Sequence, residues 1–158
     1  MTTPSTCLTD YLPQPQVWRS TYLRSVTANP LPPSLEDLER MAQAAWVAVP
    51  ETFRALAGDI VIRVEDFADE ETLADLGIED PFELTGLYSG VDLTHQSIMD
   101  PTPQAPMVFL YRRAILEEWI DRGDVALEEL VAHVLVHEVG HHFGLSDEQM
   151  DALLEETD

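Results

Sequence analysis

Apolar residues recur at helical spacing where the ordered part of the chain begins. Ser34 precedes a stretch with acids in its first turn and apolar residues at positions 35, 38, 41, 45 and 49, which predicts a helix over 34–49. A second short helix is predicted over 50–58, with Pro50 in its first turn and Gly58 at its end. The domain is therefore expected to open with two helices.

Strand-like patterns occupy the middle of the chain. In "DIVIRVEDF", residues 59–67, apolar positions alternate and predict the clearest strand; "MVFLY", residues 107–111, predicts another. Between them, 69–77 predicts a helical turn that ends at Gly77. Two glycines flank Leu87-Tyr88, so 84–93 is predicted to be a short strand pair or a hairpin edge.

Helical patterns dominate the last third. One helix is predicted over 114–123 and a long one from Ala126 to about His142, with Gly144 as its stop. Ser146 and Gln149 have the spacing of a capping box and predict a short final helix. Helices mixed with a few strands predict an α+β domain with a small sheet backed by helices.

Composition favours one folded domain and narrows its partners. The chain has 158 residues, 45% of them hydrophobic, and 30 acids against 8 bases, all arginine, which gives a net charge of −22. Such a surface repels nucleic acid and anionic membranes, and solubility explains it more readily than a basic partner does. Residues 1–33 hold six of eleven prolines and predict an extended or disordered arm before a domain over 34–158.

Cellular location is indicated only by what the chain lacks. Cys7 is the only cysteine, so no intrachain disulfide or cysteine-based zinc site is expected. We find neither a signal-peptide pattern nor an apolar run of the ~20 residues that span a bilayer. A soluble cytoplasmic protein is the expectation, and the sequence gives no indication of oligomeric state.

Histidines concentrate at the end of the long predicted helix. His137 and His141 are four residues apart, so they share a helical face with Cβ atoms roughly 5–6 Å apart and can reach one zinc ion. Glu138 completes the His-Glu-x-x-His pattern, in which the glutamate is the general base. The composition of the chain gives an expectation of only about 0.016 such patterns by chance.

Catalytic zinc normally has three protein ligands. Gly144 permits a left-handed turn that would bring the following residues back toward the metal, and Asp147 is the predicted third ligand. The other interpretation of Asp147 is an acid that favours the dipole of the last helix, and the two roles are compatible. Glu148 and Asp151 are the alternative ligands.

Two further histidines are less suited to ligation. His142 lies about 100° round the helix from His141 and is predicted to cap the last carbonyls or to donate to an acid near the site. His133, one turn before His137, lies too far along the axis and is predicted to pack or to line the cleft.

The segment "VLVHEVGHHFGL" resembles the minimal zincin-like metallopeptidase family, small bacterial proteins with a His-Glu-x-x-His-His-Phe-Gly core near the C-terminus. "LTGLYSGVDLT", "VFLYRRAILE" and "AAWVAVPETFRAL…IVIRVED" are also similar to it, and the resemblance covers about residues 36–155. It implies a small mixed sheet, an active-site helix and a cleft bounded by an edge strand. It also implies His137 and His141 as ligands, Glu138 as base and Asp147 in the third place.

Two functional hypotheses follow. The first is a zinc-dependent metallopeptidase, in which Glu138 activates a metal-bound water and a peptide or protein substrate pairs with an edge strand. That strand is either 107–111 or the segment around Leu87-Tyr88, and Tyr88 or Tyr111 is a candidate donor to the oxyanion, although packing is the commoner role of such tyrosines. The alternative is a zincin-fold binding or scaffold protein with weak or no peptidase activity. Coincidence, with no metal function, is the least favoured interpretation.

Overall fold

The computed structural model of the chain describes residues 31–93, 95 and 105–149. Within these ranges the chain forms five α-helices, one short 3₁₀-helix and three strands. In chain order they are α1 (Leu35–Ala48), α2 (Glu51–Ala57), β1 (Val61–Glu65), α3 (Glu70–Leu76), the 3₁₀-helix (Pro81–Glu83), β2 (Gly86–Ser89), β3 (Met107–Tyr111), α4 (Arg112–Arg122) and α5 (Leu127–His142).

Most helices and strands begin and end within a residue or two of the positions predicted from capping residues and glycines. Ser34 caps α1 in a capping box whose partner is Asp37. The predicted helices over 50–58 and 69–77 are α2 and α3, and both end at the glycine that marks their stop. At the end of α3, Gly77 adopts a left-handed conformation with φ of 68°, which favours glycine because it has no Cβ.

The three strands form one mixed sheet in the order β1–β3–β2. β3 runs parallel to β1, with Ile62 beside Val108, and antiparallel to β2, with Tyr88 beside Val108. The predicted α+β class with a small mixed sheet is thus confirmed. Of the two structures predicted for 84–93, a short strand pair or a hairpin edge, the second is nearer to the structure, because 84–93 contains one strand, β2, at an edge of the sheet and antiparallel to β3.

The candidate edge strand at 107–111 was a wrong prediction. β3 pairs on both sides, with β1 and with β2, so its main-chain groups are already used within the sheet. An added peptide strand needs unpaired N–H and C=O groups at an edge. Of the two proposed segments, only the one that contains Leu87 and Tyr88 lies in an edge strand.

One buried core joins α1 and α5 to the sheet. Fully buried side chains from α5 pack with Leu38 of α1 and with the inward side chains of β3, and the apolar face of α5 supplies the largest share. This packing fixes α5 against the sheet along its length, so the position of its polar residues is set by the core. The α5 and β3 residues in the core are Val108, Leu110, Leu127, Leu130, Val131, Val134, Leu135 and Val139.

Two predictions fall at the limits of the described ranges. The proline-rich arm over 1–33 lies outside them except for its last three residues, so the division into arm and domain stays a prediction. Among the described residues, no helix is long and apolar enough to cross a membrane.

Candidate metal centre

The histidine motif lies in the last turns of α5, where the helix leaves the core. His137 and His141 are half-buried, and their rings contact edge to face with centroids 5.0 Å apart. Side-chain ligand atoms of His137, Glu138 and His141 lie within 4.8 Å of one another. The predicted four-residue spacing therefore brings both imidazoles and the glutamate into one small volume.

Asp147 lies beside both imidazoles. Its Oδ1 is 3.1 Å from Nε2 of His141 and 3.3 Å from Nε2 of His137. Its side chain is 76% exposed, so a single carboxylate oxygen meets the two rings at the mouth of the site. Glu148 is exposed, and Asp151, the other alternative ligand, lies outside the described residues.

The end of α5 explains why Asp147 reaches the histidines. Gly144 has φ of 78°, its N–H donates to His141 O, and Leu145 N–H donates to Gly140 O. These are the two bonds of a Schellman motif, which reverses the chain at a helix end. The predicted capping box follows at once, since Ser146 N–H donates to the Gln149 side chain at 2.9 Å and Gln149 N–H donates back to Ser146 Oγ at 3.4 Å.

The hydrogen bond of His141 leaves its other ring nitrogen suited to a metal. Nδ1 lies 3.1 Å from Leu145 O, and a carbonyl oxygen only accepts, so Nδ1 carries the proton. Nε2 faces Asp147 and the site, so it is the ring nitrogen left for a metal. A backbone carbonyl that fixes the tautomer of a histidine in this way is the usual support of a metal ligand.

The donor set fits zinc in both chemistry and spacing. Two imidazoles and one carboxylate are common zinc ligands, and ligands 2.0–2.1 Å from a tetrahedral ion lie about 3.4 Å from one another. The separations of 3.1 and 3.3 Å between Asp147 Oδ1 and the two Nε2 atoms are close to that value.

Glu138 faces the same site but is more deeply buried than the two histidines. It is 9% exposed, and the N–H of Tyr88 on β2 donates to its carboxylate. Burial raises the pKa of Glu138, while the neighbouring His141 and His137 side chains and the Tyr88 N–H act to lower it. A carboxylate with a raised pKa is a stronger proton acceptor, as a general base must be.

Gly86 lets β2 approach α5 closely enough for this contact. A Cβ on Gly86 would lie 2.8 Å from Val134 Cγ1, 2.9 Å from Glu138 Cγ and 3.0 Å from Glu138 Oε1. These distances are shorter than van der Waals contact allows, so any side chain at 86 displaces the helix or the glutamate. The sequence hinted at this only through two glycines around Leu87-Tyr88.

Substitution of Gly86 by alanine is expected to disturb the site more than the fold. The added methyl should lower the free energy of unfolding by about 1–3 kcal/mol through overpacking and shift Glu138. Hydrolysis that depends on Glu138 as the predicted base should then fall about 10–100-fold. Denaturant unfolding and steady-state kinetics measure the two effects. Gly123→Ala is the control, because its φ of 70° makes the cost one of backbone strain at the end of α4; an equal loss of activity in both variants would contradict the prediction.

His142 is a structural residue, as predicted, but with different partners. It is 1% exposed; its Nε2–H donates to Ala57 O at 2.9 Å and its Nδ1 lies 2.8 Å from the Tyr88 hydroxyl. It therefore ties α5 to α2 and to β2 through its side chain instead of capping α5 or meeting an acid. His133 is exposed and lines a cleft beside the site, as predicted.

The two tyrosines suggested as oxyanion donors have different surroundings. The Tyr88 hydroxyl contacts His142 Nδ1 and, at 3.2 Å, Val91 O, so it is engaged away from Glu138. Tyr111 is 2% exposed in a small apolar cluster, and its burial raises the pKa of its phenol to about 12. The suggested role as oxyanion donor is unsupported for both.

A histidine pair on a core helix, with a buried glutamate between them and an edge strand against it, defines a zincin-type site. The model of the zincin-like metallopeptidase family matches residues 57–156, which include the site and the whole sheet. The chain belongs to this family. No curated protein matched the chain.

Proposed function

We propose that the chain is a zinc-dependent peptidase. The observation that carries the proposal is the position of Asp147, whose Oδ1 lies 3.1 and 3.3 Å from the Nε2 atoms of the two histidines that cluster with the buried Glu138. His137, His141 and Asp147 would hold the ion. Zinc bound there supplies a Lewis acid that lowers the pKa of water toward about 7.

Glu138 is assigned the proton transfers. Its carboxylate would accept a proton from the attacking water and pass it to the leaving amine nitrogen, which cannot depart as an anion. The Tyr88 N–H interacts with this carboxylate and favours its charged form, which is the form that accepts a proton. The low exposure of Glu138 supports the role, because bulk water competes little for its oxygens.

β2 is the strand on which the substrate would lie. Its one partner among the described strands is β3, and Gly86 and Tyr88 of this strand contact Glu138. A peptide in extended conformation can pair with the main-chain groups of an edge strand that have no partner in the sheet, which requires no particular sequence. Such pairing would lay the peptide across the glutamate.

Metal removal and replacement test the proposal. Protein purified without chelator is expected to contain about one zinc per chain and to cleave unstructured peptides such as those of casein. Treatment with 1,10-phenanthroline should abolish cleavage, and added zinc should restore it. Elemental analysis measures the zinc content, and mass spectrometry of the products measures peptide cleavage. Stoichiometric zinc without cleavage of any peptide would overturn the peptidase and favour the binding or scaffold alternative.

A further inference from the structure

An apolar cleft opens directly beside the candidate site. Four apolar side chains line it together with Gly86, Tyr88 and the site residues, and its volume is about 330 Å³. This is near the lower end of the roughly 300–1,000 Å³ typical of ligand sites, a size suited to one or two amino-acid side chains. The four residues that define the apolar cleft are Leu76, Ile78, Leu84 and Leu87.

Separate elements bring these side chains together. Leu76 ends α3, and the left-handed Gly77 turns the chain so that Ile78 follows with its N–H bonded to Leu73 O at 2.9 Å. Leu84 ends the 3₁₀-helix and Leu87 lies in β2. Leu76 is 48% exposed, so it presents apolar surface at the opening of the cleft.

A second cleft that also contains Glu138 has a different character. Its volume is about 430 Å³, and the residues that it does not share with the first cleft are mainly polar or charged. The shared residues are Leu84, Gly86, His137, Glu138 and Asp147. Arg122 in that wall is paired with Glu118. The distinguishing residues of this polar cleft are Glu83, Thr85, Glu118, Arg122 and His133.

We propose that the apolar cleft selects an apolar side chain of the substrate, at a position adjacent to the bond that is cut. This inference rests on the proposed function for the substrate being a peptide, and it adds which peptides are chosen. A chain that crosses Glu138 along β2 places neighbouring side chains toward the clefts on either side. Burial of a leucine or phenylalanine side chain in the apolar cleft removes apolar surface from water on both partners and so favours binding. The polar cleft offers little such surface.

The expected preference is large enough to measure. Burial of a leucine side chain instead of a serine should favour binding by about tenfold or more, since pocket discrimination of a few methylene groups spans about 10–200-fold. A peptide with aspartate at this position should bind worst, because the carboxylate would lose its hydration in the cleft without gaining a charged partner.

Binding to zinc-loaded full-length Glu138→Gln tests the preference without hydrolysis. The probes are fluorescent Ala-Gly heptapeptides with one guest residue, Leu, Phe, Ser, Asp or Arg, and anisotropy gives each Kd. Leu and Phe guests are expected to bind about tenfold or more tightly than Ser and Asp. Equal affinity for all guests, stronger binding of Arg, or no binding of any peptide would overturn the inference.

A change of preference is the sharper test, because partial unfolding cannot produce it. Leu76→Asp in the Glu138→Gln background is expected to bind the Leu peptide more weakly and the Arg peptide more tightly. The fold should tolerate the charge because position 76 is exposed. Ile120→Ser in the same background is the matched control. Ile120 is 71% exposed and lines neither cleft, so this variant should have the same guest preference as the Glu138→Gln protein. Identical guest preferences in Leu76→Asp and the control would contradict the assignment.

Hydrolysis of the same peptides by the unmodified chain separates this inference from the proposed function. Guest-dependent binding without any cleavage would overturn the peptidase and leave the apolar cleft as a peptide site. Cleavage of all the peptides at equal rates, with equal affinities, would support the peptidase and overturn the selectivity of the apolar cleft. Cleavage that follows the binding order supports both.

Discussion

A Glu138→Gln variant is expected to lose peptide hydrolysis by about 10²–10⁴-fold and to keep its zinc. The amide has nearly the shape of the carboxylate, and its oxygen can still accept the Tyr88 N–H, so the contact between β2 and α5 should persist. It cannot take a proton from water. Because the three proposed ligands are unchanged, loss of activity without loss of metal isolates the proton transfer.

Zinc analysis, peptide kinetics and thermal unfolding on the same preparation check this prediction. Glu128→Gln is the matched control, since it removes one negative charge from the same helix at an exposed position in the first turn, roughly 15 Å away along the axis. The control is expected to retain full activity. Turnover of Glu138→Gln equal to that of the control would exclude Glu138 as the base.

A His137→Ala variant is expected to bind zinc at least about 100-fold more weakly than the parent chain. Removal of one imidazole leaves two ligands, and a site with fewer than three protein ligands seldom retains zinc. Its activity should fall with its metal content. The fold should survive, because His137 is half-buried and lies outside the buried core.

His133→Ala is the control for this experiment. His133 is one turn earlier on α5, exposed, and outside the cluster of close ligand atoms. Competition with a fluorescent zinc chelator gives the affinity of each variant, and circular dichroism confirms the helix content. Equal zinc affinity in the two variants would show that the metal, if bound, is held elsewhere.

Short-range rules predicted the elements of this chain well. Ser34, Gly58, Gly77, Gly123 and Gly144 marked helix ends, because the capping side chain or the left-handed turn acts over three to five residues. The spacing of the histidine motif determined which side chains share a face of α5. The class of fold followed from the order of the elements.

Long-range contacts were less accessible from the sequence. The strand at 107–111 was a candidate edge but lies at the centre of the sheet, because its register with β1 and β2 depends on pairing between residues 18 to 46 positions apart. Likewise, His142 meets Ala57, 85 positions earlier in the chain, and no local pattern specifies such a partner. Its predicted structural role was correct, whereas its neighbours depended on how α2 and β2 pack.

The close approach of β2 to α5 at Gly86 has a consequence for how the site assembles. The same four-residue strand closes the sheet through its main chain and contacts Glu138 through Gly86 and the Tyr88 amide. Any fluctuation that detaches this strand therefore also releases the carboxylate. The candidate site belongs to the same cooperative unit as the sheet edge, so it is lost whenever that edge opens.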